Sequence, residues 1–165
     1  MILISSCLAG LPTRYDGRGS FRQEVAALLA AGKAVPACPE QLGGLATPRR
    51  PAEIVGGNGE DVLDGRAKVM TDDGDDVTLE FVRGAEHTLS LARTVGAKYA
   101  VLKEASPSCG GVHIYDGTHS GTKRPGFGVT AALLRRHGIE VFSEVTFPSF
   151  LAKLREESQG EEEAG

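Results

Sequence analysis

Tryptophan is absent from this sequence, and aromatic residues make up only 5% of it. That scarcity excludes an extended platform for stacking the bases of a single strand. A basic excess is missing too, since 18 Lys and Arg face 22 Asp and Glu, for a formal net charge of −4. A surface built for long nucleic acid normally carries the opposite sign. No long nucleic-acid partner is therefore expected, although a single base or nucleotide needs only a local pocket. No apolar run approaches the ~20 residues of a membrane span, and no basic-then-apolar leader precedes the first strand. These absences point to a cytoplasmic protein without a membrane partner, its thiols kept reduced. Cysteine is scarce as well: there are three, an odd number that rules out a complete internal disulfide framework. Metal binding or catalysis is the better use for them.

What is present has the balance of a globular domain, with 41% apolar and 24% charged residues in a chain of 165. That length suffices for one domain with a genuine core. Short apolar runs at residues 2–5, 34–37, 99–102 and 139–142 alternate with helical patterns at residues 21–31, 77–94, 127–137 and 146–157. Gly32, Gly96 and Gly138 stop the first three helices, and Ser20 is the expected N-cap of the first. The alternation predicts an α/β fold: an open, mostly parallel, Rossmann-like sheet with helices on both faces. Residues 61–71 read as a small β-hairpin insertion, with 66–70 as its return strand. The following acidic turn, residues 72–76, lacks the downstream bidentate Glu of an EF-hand. It reads as a solvated turn that caps the next helix. Residues 1–157 form the expected domain, and the acidic residues 158–165, with nothing to bury, a disordered tail.

Cys7, Cys38 and Cys109 each stand just past a different short apolar run. Ligands of open α/β sheets collect beyond the carboxyl ends of the strands, so the fold would carry all three thiols to one end. Soft sulfur donors arriving from three loops suit a soft metal or an iron–sulfur cluster. A closed cluster takes four thiolates, and three leave a coordination position open for catalysis. Zinc is the rival, with His113 as a conceivable fourth ligand beside Cys109, although the cysteines lack C-x2-C clustering.

Around the thiols stand candidates for chemistry. Glu40, two residues after Cys38, is the acid–base candidate. Ser106 and Ser108 flank Pro107 before Cys109 and are placed to donate to a substrate atom or to cap loop amides. Arg14 and Asp16 either pair to fix the first loop or bind substrate. The polar loop 116–126 carries Lys123 and Arg124, cations available for a phosphate. Long loops in compact domains are usually functional or mobile.

The stretches Ser6-Cys-Leu-Ala-Gly10, Arg14-Tyr-Asp-Gly17, Cys38-Pro-Glu-Gln-Leu-Gly-Gly-Leu45, Pro48-Arg-Arg-Pro-Ala-Glu-Ile54, Ser106-Pro-Ser-Cys-Gly110 and Gly126-Phe-Gly-Val-Thr130 occur together in this chain. In them the sequence closely resembles the thiouracil desulfidase family, formerly known only as a bacterial domain of unknown function. Thr13 departs from it, standing where a number of relatives carry a further Cys. The resemblance implies a [4Fe–4S] cluster held by Cys7, Cys38 and Cys109. It implies a reaction in which water replaces the sulfur of a small thiolated pyrimidine and sulfide is released, without net redox change. Glu40 matches the family's Cys-Pro-Glu carboxylate, and Ser106 or Ser108 its Ser-Pro-Ser-Cys serine. Larger relatives acting on thiolated tRNA carry an additional domain, so this short acidic chain fits a free base or nucleotide. From another class comes the alternative of a non-catalytic iron–sulfur or zinc protein that stores sulfur or senses iron.

Overall fold

The computed structural model describes residues 1–165. Its centre is a four-stranded, all-parallel sheet of β1 (Ile2–Ser5), β2 (Ala34–Ala37), β5 (Tyr99–Leu102) and β8 (Glu140–Ser143), in the order β2-β1-β5-β8. β1 and β5 are buried along their whole length, which is why they read as unbroken apolar runs rather than alternating ones. Helix α1 (Gln23–Ala30) and the C-terminal helix α6 (Phe147–Ala164) cover one face, where Ile2, Ile4, Val25, Val101 and Phe150 form a core. Helices α4 (Thr78–Thr94) and α5 (Val129–Arg136) cover the other, packing Leu89, Ala92, Ala131 and Leu134 against Leu3, Ala100 and Leu102.

The strand order fixes where a ligand would sit. From β1 the chain steps outward to β2, then returns past β1 to β5 and on to β8. The direction reverses between β1 and β5, so their carboxyl ends diverge into a crevice at this switch point.

A third core lies beyond the sheet, under an antiparallel pair formed by β3 (Ala52–Val55) and β4 (Lys68–Thr71). The expected hairpin exists, but with different strands. Residues 61–64 are not extended: helix α3 (Gly59–Leu63) occupies this stretch. Asn58 and Asp61 make a reciprocal capping box, the Asn side chain accepting from Asp61 N–H and the Asp carboxylate from Asn58 N–H. The true partner of the return strand is 52–55, a segment whose Pro and Arg neighbours obscured it. In the acidic turn, Asp76 Oδ1 accepts the Thr78 amide at the start of α4 at 2.9 Å, and Arg50 pairs with Asp72.

Three boundaries differ from expectation. α1 begins at Gln23 rather than after Ser20, because the amides of Ser20 and Arg22 bond to the carbonyls of Cys7 and Leu8 and hold that stretch extended. The polar loop is in part a strand, with β7 (Lys123–Pro125) paired to β6 (His113–Tyr115). Finally, α6 does not stop near 157 to leave a tail at 158–165 but continues to Ala164. Gln159 and Glu161 to Glu163 are good helix formers with no Pro among them, and they extend the helix without burying anything.

Candidate active site at the sheet switch point

Each thiol is held by a different local device at the strand ends. Cys7 lies in a 3-10 turn, Ser6–Ala9, that directly continues β1 and is closed by Gly10 at φ 92°. Cys38 is the N-cap of the short helix α2 (Pro39–Leu42), whose Pro39 occupies the first turn. Cys109 follows β5 through a loop in which Ser106 Oγ accepts the amides of Ser108 and Cys109, both at 3.1 Å.

Two glycines permit this convergence. A Cβ on Gly84 of α4 would stand 2.0 Å from the Pro39 carbonyl oxygen, so only glycine lets α2 seat on α4. A Cβ on Gly128 would lie 2.4 Å from the Ser108 carbonyl carbon, beside Cys109.

All three cysteines line one cavity of about 570 Å³, within the ~300–1,000 Å³ usual for small-molecule sites. They form no disulfide. Burial pushes the Cys7 thiol up to about 11, against the opposing charge of Lys103. Burial likewise raises Cys38, opposed by the amides of Gln41 and Glu40, and raises Cys109 well above the ordinary thiol range, opposed by Ser5. Two of the three also feel another thiolate's charge: Cys109 is raised by Cys38 and Cys7, and Cys7 by Cys38. Two buried thiols and a half-buried one resist ionising together, so a positive metal centre is what this donor set suits. No three donor side chains are gathered tightly enough for a single ion. His113 is exposed and does not line the cavity, so the Cys3His zinc grouping is not assembled.

The remaining candidates separate cleanly. Glu40 is on the cavity wall, its Oε2 bound by Nε and Nη2 of Arg49, with the two side chains 13% and 9% exposed. Ser106 lines the cavity, and because its oxygen accepts two amides, its own O–H remains to donate. Ser108 does not line it; 1% exposed, it hydrogen-bonds Thr130 Oγ1 at 2.8 Å. Arg14 lines the wall and sits 3.9 Å from Asp16, which binds the Arg18 amide and stays off the wall. Lys123 reaches the cavity and lies 5.7 Å over the Tyr115 ring, whereas its neighbour Arg124 does not line it.

Glu104, Lys103 and Glu53 are wall residues that the sequence did not single out individually. Glu104 is buried, and its Oε1 accepts the amides of Ala105, Gly111, Val112 and His113 at 3.0–3.2 Å, cinching the Cys109 loop at both ends. Its Oε2 is buried without a hydrogen bond. Lys103 pairs with Glu144 at 2.8 Å. Glu53 accepts the amides of Gly117 and His119, tying the polar loop to β3. The signal for the first two was a Lys-Glu pair ending a wholly apolar strand.

An α/β sheet carrying three thiols, a carboxylate and a free hydroxyl around its switch point defines a class of protein with a sulfur-lined catalytic pocket. The chain belongs to the 2-thiouracil desulfurase family, whose model matches residues 2–146. Uncharacterized protein YbbK of Bacillus subtilis (strain 168) is 54% identical over 144 residues, covering 87% of this chain and 95% of that protein. Among solved structures, the [4Fe-4S]-dependent thiouracil desulfidase TudS matches with a TM-score of 0.82 at 47% identity, over 93% of this chain and 97% of that one. No helix of the chain is long and apolar enough to cross a membrane.

Proposed function

We propose that this chain is a [4Fe–4S]-dependent desulfidase that replaces the sulfur of a thiolated pyrimidine, thiouracil or its nucleotide, with oxygen. The observation that carries the reading is the convergence of Cys7, Cys38 and Cys109 on the cavity that also holds Glu40 and Ser106. Those three thiols would hold the cluster, which when bound supplies an iron free of protein ligand as a Lewis acid for the substrate's sulfur. The chain supplies the rest. Glu40 Oε1, the oxygen not engaged by Arg49, takes a proton from the attacking water. Ser106 O–H donates to the pyrimidine and orients its ring. Arg14 and Lys123, cations on the wall without a tight carboxylate partner, meet the phosphate when the substrate is a nucleotide. Asp16 holds the Arg14 loop rather than substrate, and Arg124 lies outside the pocket. The carbon–sulfur bond breaks, a carbon–oxygen bond forms from water, and sulfur leaves as sulfide with the water's protons. No electrons are gained or lost overall.

The test is sulfide release from 2-thiouracil and 4-thiouridine monophosphate by anaerobically reconstituted protein. Sulfide and the oxo-pyrimidine are expected in equal amounts. A fully loaded protein that leaves every thiolated pyrimidine intact would overturn the assignment and favour a cluster that stores or senses.

A further inference from the structure

Arg49 is the most heavily committed side chain of the site. Its Nε donates to Glu40 Oε2 at 2.9 Å, and its Nη1 to the Ala46 carbonyl at 3.3 Å and Thr47 Oγ1 at 2.9 Å. Its Nη2 donates to the Thr13 carbonyl at 3.0 Å, to Glu40 Oε2, and at 3.9 Å to Cys38 Sγ. Its backbone amide bonds the Tyr15 carbonyl at 2.8 Å. A guanidinium has five N–H groups, and these six side-chain contacts engage all of them within the protein, one Nη2 hydrogen being shared between two acceptors. Although it lines the cavity, Arg49 has no donor left for a substrate. Its reach is inward, to one thiol and one carboxylate at once.

The Cys38 thiol now donates to the Thr13 carbonyl at 3.6 Å. A thiolate has no proton to give, so in a loaded protein that bond disappears and the sulfur becomes an acceptor only. A side-chain donor already within reach of it is Arg49 Nη2, at 3.9 Å. The same planar fork fixes Oε2 of Glu40 and leaves Oε1 unengaged on a residue that lines the cavity.

We infer that Arg49 is a positioning residue with two linked tasks: it donates a hydrogen bond to the Cys38 thiolate and aims the Glu40 carboxylate at the reacting carbon. This rests on the desulfidase reading for its second task only. Hydrogen bonds to cluster sulfurs stabilise the more negative, reduced state and raise the reduction potential. Partners that orient a ligand rather than bind the metal typically change activity by about 10- to 100-fold when removed.

The experiment compares wild type, Arg49→Lys and Arg49→Gln after anaerobic reconstitution. It reads iron content, circular dichroism, the midpoint potential of the cluster, and kcat and KM for a thiolated pyrimidine. Both variants are expected to load iron. The potential should fall in Arg49→Gln and by less in Arg49→Lys, which keeps the charge but not the fork. kcat should drop roughly 10- to 100-fold in both, with KM little changed. An unchanged potential in a loaded Arg49→Gln protein would overturn the sulfur contact, and a rise in KM with kcat intact would make Arg49 a substrate residue. Two natively folded variants that take up no iron would make it a clamp for the Cys38 loop and overturn the proposal. A potential shift without any sulfide release, in wild type or variants, would leave the contact standing and remove the desulfidase assignment instead.

Discussion

At Glu40 only one carboxylate oxygen is engaged by Arg49, and this divides ligand holding from chemistry. Oε2 is bound to Arg49 and Oε1 is not, Glu40 lines the pocket, and a carboxylate is a hard donor poorly matched to iron that has thiolates available. Glu40→Gln should therefore still bind the cluster, with turnover lower by about 10²- to 10⁴-fold, the usual contribution of a positioned acid or base. Cys38→Ser should lose or destabilise the cluster itself, and iron content with visible absorbance separates the two. The serines divide in the same way. Ser106→Ala removes the free O–H and should lower kcat. Ser108→Ala leaves Thr130 Oγ1 buried without its partner, a loss of about 1–3 kcal/mol visible in denaturant unfolding while turnover of the folded protein is kept. From the sequence, Ser106 and Ser108 were equivalent. Only the fold shows that one lines the pocket and the other faces Thr130, 22 positions away.

At the scale of elements, the site depends on α2 lying tightly on α4. Gly84→Ala forces a methyl into the Pro39 carbonyl, and such overpacking costs about 1–3 kcal/mol. Because α2 carries Cys38 and Glu40, the variant should show reduced iron uptake as well as a lower melting temperature. The Cys109 loop has its own dependence, on Glu104. Burial would raise that carboxyl, but the amides of His113, Val112 and Ala105 outweigh it and hold it below the usual 4.5. A carboxyl depressed in the folded state stabilises fully above its unfolded value and loses that contribution as pH falls through the folded one. Acid unfolding should therefore begin below about pH 4.5, and Glu104→Gln should flatten that limb of the stability curve. The main strands and helices were legible because each has a strong period or an unbroken apolar run. α3 and β7 were not. α3 is five residues long and defined by a cap, and the three residues of β7 acquire their strand character only by pairing with β6.

Across the whole molecule, the parallel sheet explains why three cysteines more than thirty positions apart meet at all. Strand order was the part least visible beforehand, since nothing local in residues 2–5 or 99–102 says that they are neighbours. Part of the site's outer wall was hidden for the same reason: Arg49 and Glu53 make their contacts to the Thr13 carbonyl and the Gly117 amide over long sequence separations. Lys123, in the polar loop, is a candidate from the sequence alone. The exposed end of α6, by contrast, touches nothing in the site. Deleting residues 158–165 should leave iron content and turnover unchanged and the melting temperature nearly so.

The central claim is that these residues hydrolyse a carbon–sulfur bond at a cluster held by three thiolates. Mass analysis of the product formed in ¹⁸O-labelled water by reconstituted protein tests it most directly. The account predicts one labelled oxygen in each oxo-pyrimidine and one sulfide released for each. Unlabelled product, or sulfur retained on a cysteine in place of free sulfide, would contradict it.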